Sequence, residues 1–508
     1  MAASSKTIAS DPDFKRDSAG SVPLGQRIAV FGFVLYAAFA PHSIAGAEIA
    51  LAIVGVGWLL RTLTTRELGL HRTRLDLPIW IFFVWTIGSS FLSEEPSISI
   101  PKLQSVCVLF LFYITQAIVA KRTAILLVCV MILSGVAGSL YSVYDLLRGR
   151  GVVIESMTAD SPLLQAHAEV GDAVWRINDR RVYSTTDINE AIKAMPAPAK
   201  LSVSLISRGE HVERPGIVVN EQTRRSASPS GVTGSSRTHR FRASGWTRHY
   251  ETFSEILQIL TLLSLGLALA HLRNHGANAR FKLAIAASSI LALGIALTAM
   301  RTVLVAFVLG GFVIVLRAAR GKTRLVVAAA LFLVLVAGAF VVWQTRAKDA
   351  LALQDSSVSL RVAVAKAGFS RVLLHPVFGH GMDAVHRHWN EWGFPGDQML
   401  GLHSTPLQLA FDRGLPALIC WFWIVATFWL IASRAGRMFQ DSSNTNCYGV
   451  LLGTTGAIAA FFASSLVNYN FGDAEVALVF WWLMGITVVL SRAGSRGARQ
   501  EQATGVAS

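Results

Sequence analysis

Two side chains of this 508-residue sequence stand where chemistry is easiest to place. Arg301 lies in Ala299-Met300-Arg301-Thr302, a short turn between two apolar runs. A guanidinium there offers a planar fork of donors that can grip phosphate oxygens in pairs. His403 lies in Gly401-Leu402-His403-Ser404-Thr405-Pro406, ahead of another apolar run. An imidazole at a helix start suits a general base, or a donor to an oxyanion. Arg361 falls in Ser356–Leu374, which reads as an amphipathic helix; Gly379-His380-Gly381-Met382 and then Asp412-Arg413-Gly414 follow. A basic stretch over 221–248 holds Arg224, Arg225, Arg237, Arg240, Arg242 and Arg248 and runs through His249-Tyr250 into an apolar run. It reads as a solvated tether or as an anion-binding segment, and the aromatic and polar residues of Arg242–Phe253 favour the second. The bland alternatives are an arginine snorkelling to lipid headgroups and a structural histidine. His375, His380, His386, His388 and His403 raise a metal alternative. However, His386-x-His388 is a poor helical pair, with no cysteine or tight carboxylate spacing beside it, so no metal is expected.

The elements that must position these groups are membrane helices. The chain is 53% hydrophobic and 15% charged, with a net charge of +15. Soluble domains carry about 25% charged residues, so an ordinary cytosolic enzyme is excluded. Apolar runs of spanning length, about 20 residues, recur everywhere except between 150 and 250. About twelve spans are expected: 28–42, 44–60, 77–92, 103–120, 123–146, 252–271, 281–299, 302–317, 324–343, 406–432, 447–467 and 474–491. Arginines and lysines concentrate at 61–76, 121–122, 272–282, 317–324, 434–437 and 492–499. The positive-inside bias then makes both termini cytoplasmic and places 148–250 and 344–405 outside. Nucleic acid falls away as a partner, because most of the basic charge serves topology. The first residues contain no cleavable signal, so the first span is expected to anchor the chain. Cys107, Cys129, Cys420 and Cys447 lie in or at the ends of spans and indicate no disulfide framework. Few ionisable residues fall inside the spans, which argues against an ion-coupled transporter.

Between 150 and 220 the texture changes to short alternating strands and turns. Strands are expected at Gly151–Ile154, Ala173–Ile177, 201–207 and 212–219, with a helix capped by Thr186 and running to Met195. Asp160-Ser161-Pro162, Gly171-Asp172, Ile177-Asn178, Val182, Asp187–Ile192 and Ser207-Arg208-Gly209 give this insert its character. It resembles a bacterial PDZ domain, although Ala166-His167-Ala168 replaces the usual small-Gly-apolar element. The resemblance implies strand addition at a sheet edge and a protein partner, against a spacer with no peptide ligand. The fold expected is therefore an all-α polytopic membrane protein with a small inserted periplasmic PDZ-like α+β domain. Its parts are a cytoplasmic tail (1–27), helices 1–5 (28–147), the PDZ-like domain (148–220), a basic periplasmic linker (221–250), helices 6–9 (251–343), a periplasmic catalytic loop (344–405), helices 10–12 (406–491) and a cytoplasmic tail (492–508).

Three pieces in order resemble the bacterial O-antigen ligase and polysaccharide polymerase superfamily. They are Arg242–Tyr250, Thr298-Ala299-Met300-Arg301, and Arg361 with His375–Gly381, His403–Leu409 and Asp412–Pro416. Met300 departs from a serine in the family's turn. The resemblance implies metal-independent, inverting glycosyl transfer at the periplasmic face of the inner membrane, with no cofactor. The donor would be a glycan on undecaprenyl pyrophosphate and the acceptor lipid A-core. Arg301 and Arg242 would stabilise the leaving pyrophosphate, and His403 would orient or deprotonate the acceptor hydroxyl. Arg361, Arg248, His249, Tyr250, His380 and Asp412 are expected to bind substrate, and the aromatic stretch His386–Phe394 to stack on sugars. Transfer onto another lipid-linked repeat (an O-antigen or exopolysaccharide polymerase), transfer to protein, and a transporter or scaffold remain the alternatives.

Overall fold

The computed structural model describes residues 22–178, 180–195, 199–207, 210–238, 241–247, 249–319, 356–396, 399, 401–440, 442 and 444–505. The described helices are α1 (Leu24–Phe39), α2 (Ile44–Thr65), α3 (Asp76–Leu92), α4 (Pro96–Ile118) and α5 (Lys121–Arg148). After the insert come α8 (Tyr250–His275), α9 (Ala279–Leu297), α10 (Arg301–Ala318), α11 (Ser356–Val372), the short α12 (Ala384–Arg387), α13 (Thr405–Phe439), α14 (Thr445–Ser465) and α15 (Ala474–Gly505). Nine are long and apolar enough to cross a membrane, and α1 and α3 are shorter apolar helices. The chain is therefore a mostly helical, polytopic membrane protein. The expected span 324–343, Arg248 and the first 21 residues lie outside the described residues. The span α4 departs from regular form. Within α4, Ile100–Leu109 is 3-10 helix, with Pro101 near its start.

The residues separate into two compact units, Gly138–Tyr250 with Ala296–Ala299 forming one of them. In the other, α8, α14 and α15 are the most enclosed helices. α8 and α14 approach through small residues, since a Cβ on Gly266 would lie 2.4 Å from the Gly449 carbonyl and the Gly453 amide. Close backbone contact of this kind packs helices that gain nothing by hiding apolar side chains from lipid.

The insert is built on a sheet of β1 (Arg150–Met157), β2 (Ala173–Ile177), β3 (Arg180–Arg181), β4 (Ala199–Ser207), β5 (Glu210–Val219) and β6 (Val232–Thr238). The order is β5-β4-β2-β1-β6, with β3 paired to β2, and every pairing is antiparallel. Helix α6 (Thr185–Lys193) packs Ile188 and Ile192 against Ile154, Val174, Val203 and Leu205 on one face. Ser184, not Thr186, caps it. The Ser184 hydroxyl accepts from the Asp187 amide at 3.2 Å, and the Asp187 carboxylate accepts from the Ser184 amide at 3.1 Å. This reciprocal box starts the helix before Thr186. The stretch 221–250 also differs from a bare linker. It contains a short helix, α7 (Glu221–Arg225), and strand β6.

Candidate functional site

The site is built around a break in α13. Gly414 has φ 79° and ψ 172°, and Pro416 supplies no amide for the Asp412 carbonyl. A helix broken in this way leaves backbone groups that must find partners elsewhere. The segment Pro376–Gly381 supplies most of them. The His380 amide donates to the Phe411 carbonyl at 2.7 Å, the Gly381 amide to Asp412 at 3.0 Å, and the Leu415 amide to Pro376 at 2.7 Å. The Trp85 indole takes the Arg413 carbonyl at 2.9 Å. A Cβ on Gly414 would sit 1.8 Å from the Val377 carbonyl, so only glycine fits there. The two motifs, Pro376–Gly381 and Asp412–Gly414, are thus two halves of one backbone clip.

His380 secures that clip. It is fully buried, with Nε2 donating to the Arg371 carbonyl at 2.9 Å and Nδ1 paired with the Glu94 carboxylate. Burial alone would raise Glu94. The hydrogen bond and charge of His380, with His375 and Arg371 beyond, outweigh burial and hold the carboxyl below its ordinary range. Glu94, His375 and His380 also form the one group among the described residues with metal-ligand geometry. His380 already spends both ring nitrogens on protein partners in that group.

His403 sits just before the N-cap of α13 with φ 52°, left-handed backbone that histidine adopts more readily than most side chains. Two chains of hydrogen bonds grip the residues on either side of it. Upstream, the Leu402 amide donates to Gln408 Oε1 at 2.7 Å, and Gln408 Nε2 donates to Asp412 at 2.8 Å. Downstream, the Thr405 amide and hydroxyl both donate to the Asn468 carbonyl at 3.1 Å, and the hydroxyl lies 3.1 Å from Asn470 Oδ1. Asn468 and Ser464 in turn donate to Glu255 of α8, at 2.9 and 2.8 Å. Asn468 also reaches Thr302 at 3.3 Å, the residue after Arg301. The turn of Arg301 and the turn of His403 therefore share one buried polar core, which contains Glu255, Ser464, Asn468, Asn470 and Thr405. Sequence reading did not single out Glu255. Its signal was a lone carboxylate inside an apolar run.

Arg301 opens α10 and is exposed, with no ion-pair partner among the described residues. Arg361 is half-buried on α11. Burial, and then the Arg361 charge, lower His403 below the ordinary imidazole value. Asp412 is buried and holds Gln408. In the other unit, the Arg242 guanidinium lies 4.6 Å from the centre of the Tyr250 ring, and His249 is exposed. Within the aromatic stretch His386–Phe394, Trp389 and Phe394 depart from expectation. Trp389 and Phe394 stack at 4.8 Å inside a core with Val364, Leu402 and Phe411, so sugars cannot lie on them.

A bundle of membrane helices in which the turns of a histidine and an exposed arginine share one buried polar core is the class of protein defined so far. Residues 286–422 match the family described as O-antigen ligase, and that stretch of the chain is a domain of the O-antigen ligase superfamily. The match takes in Arg301, Arg361, His380, His403 and Asp412. It supports an enzyme of the ligase and polymerase type acting on lipid-linked glycan. A comparison with curated proteins gives no match.

Proposed function

We propose that this protein is a metal-independent, inverting glycosyltransferase that moves a glycan from undecaprenyl pyrophosphate to lipid A-core at the periplasmic face of the inner membrane. The observation that carries the reading is one hydrogen-bonded framework shared by the turns of His403 and the exposed Arg301, in which burial holds His403 below the ordinary imidazole value. A histidine that stays neutral to lower pH can accept the proton of a sugar hydroxyl. As the bond to the anomeric carbon forms, the bond to the pyrophosphate oxygen breaks. The departing diphosphate gains charge, which Arg301 and Arg242 stabilise. Arg361, Arg248, His249 and Tyr250 bind the donor or acceptor. His380 and Asp412 act through the backbone they hold. The insert is PDZ-like and serves this site.

The test is glycan profiling of a deletion strain complemented with His403→Ala or Arg301→Ala. Each variant, made at normal level, should lower transfer about 100-fold or more. Normal polymer from either variant overturns the reading. In the deletion strain itself, loss of all long-chain lipopolysaccharide marks a ligase, whereas retention of a single-repeat product marks a polymerase.

A further inference from the structure

The stretch 227–238 does not leave the insert as a tether. It lies along it, bonded on both flanks. On one flank β6 forms an antiparallel ladder with β1, pairing Val153 with Ser236, Ile154 with Ser235, Ser156 with Gly234 and Met157 with Val232. On the other flank it meets α6. Thr185 Oγ1 and Ser235 Oγ are 2.8 Å apart, and the Ser230 amide donates to Asn189 Oδ1 at 3.0 Å. Ser161 Oγ donates to the Ser230 carbonyl at 2.6 Å. Val232 is 5% exposed and enters the apolar core beside Ile154 and Ile188. Apart from Val232 and two threonines, β6 is Gly, Ser, Ser and Arg, which do not favour a strand, and its ladder has three register shifts. Such a segment folds as a strand because a prepared edge receives it.

The chain that follows is held as firmly. Phe241 packs with Ala173, Trp175 and Ile206 in a second small core. The Arg150 guanidinium lies 4.4 Å from the centre of that ring, and its partner is the buried Asp145 carboxylate. The Ala243 amide donates to the Leu297 carbonyl at 3.0 Å, and the Gly245 amide to Ser142 Oγ at 3.2 Å. Arg242 lies between Phe241 and Ala243, with an anchored residue on each side.

We propose that the β1 edge and the α6 face form a strand-binding groove whose ligand is this chain's own 227–238 segment. The filled groove is the working state. The insert is an internal clamp, and what it positions is Arg242. A groove filled from within has no open backbone edge on β1 to offer another chain. Arg242 is at the same time kept at a fixed place without being part of a regular element. The role given to Arg242 rests on the proposed transfer reaction, whereas the filled groove does not.

The experiment uses the full chain in native membranes. Ser156 Oγ and Thr233 Oγ1 lie 2.8 Å apart across β1 and β6, so Ser156→Cys with Thr233→Cys should form a disulfide under a mild oxidant. Mass spectrometry of the digested protein reads the linked peptide, and single-cysteine variants serve as controls. Linked chains should transfer glycan as well as reduced ones. Ser236→Pro, at the pair with Val153 whose backbone faces β6, removes a ladder amide and should lower transfer by about the same factor as Arg242→Ala, on the order of 100-fold. Failure to link across an oxidant series overturns the filled groove. Linked chains that lose transfer and regain it with reductant also overturn the proposal, because the groove must then open for a partner. Full transfer by Ser236→Pro overturns the clamp. If wild-type chains transfer nothing, the glycosyltransferase reading fails while the linked peptide still decides the groove.

Discussion

Around His403 the backbone is held by side chains, whereas in the insert the backbone largely holds itself. The His403 turn is left-handed, the helix behind it is broken at Gly414, and the freed groups find Trp85, Gln408, Asn468 and the 376–381 segment. Two buried carboxylates, Glu255 and Asp412, stand at the far ends of those networks. In the insert, a ladder of strand pairs closes over Ile154, Ile188, Ile192 and Val203, and polar side chains mainly finish its edges. The reason is solvent. Inside a membrane bundle, irregular backbone is tolerated only where protein groups satisfy it, so the site depends on polar side chains. The insert satisfies its backbone within its own sheet and can rely on the burial of its apolar core.

This contrast can be broken or sharpened in three ways. The largest effect is expected from Glu255→Ala, which leaves the Asn468, Asn470 and Ser464 donors facing an apolar gap. We expect a loss of about 3 kcal/mol of stability, read by thermal unfolding in detergent, together with a fall in transfer. Glu255→Gln keeps an acceptor and should cost less. Equal losses for the two would show that the network is not what holds the turn. Next is Ile192→Ala in the insert, fully buried on α6. A cavity there should cost about 2–3 kcal/mol, seen as earlier proteolysis between 150 and 220. If α13 and α14 lose amide protection to the same extent, the two regions do not differ as described. The smallest effect is Arg361→Gln. Because His403 is lowered in the folded protein, it stays neutral below the ordinary imidazole range, and the acid limb of transfer should lie there. Burial, the larger cause, survives the substitution, so the limb should move up only part of the way. A pH–rate profile in which it stays put or moves down removes Arg361 from the site.

Some of the site could be read directly from the residues. The expected helix over Ser356–Leu374 meets the observed Ser356–Val372, because apolar spacing and flanking polar residues suffice for a helix. The pairing of His375–Gly381 with Asp412–Pro416 was visible as two motifs but not as one clip, since its bonds join carbonyls and amides that carry no side-chain signature. Glu255 was passed over because its partners Asn468 and Asn470 lie 213 and 215 residues away. Strand β6 was passed over because its composition reads as a linker, and only the β1 edge makes it a strand. Trp389 and Phe394 looked like a sugar-stacking surface because aromatic residues near a site look alike whether covered or bare.

The sequence by itself determined the membrane helices, the strand-rich insert between them, and the arginine and histidine side chains offered to a site. These follow from composition and periodicity, which act within a helix or a strand. Tertiary structure alone decided that Glu255 supports the turns of Arg301 and His403, that His380 is a fastening, and that the basic stretch lies in a groove of its own insert. Each of those depends on satisfying a buried polar group or an open strand edge with a partner distant in sequence, a constraint that exists only once the chain has packed.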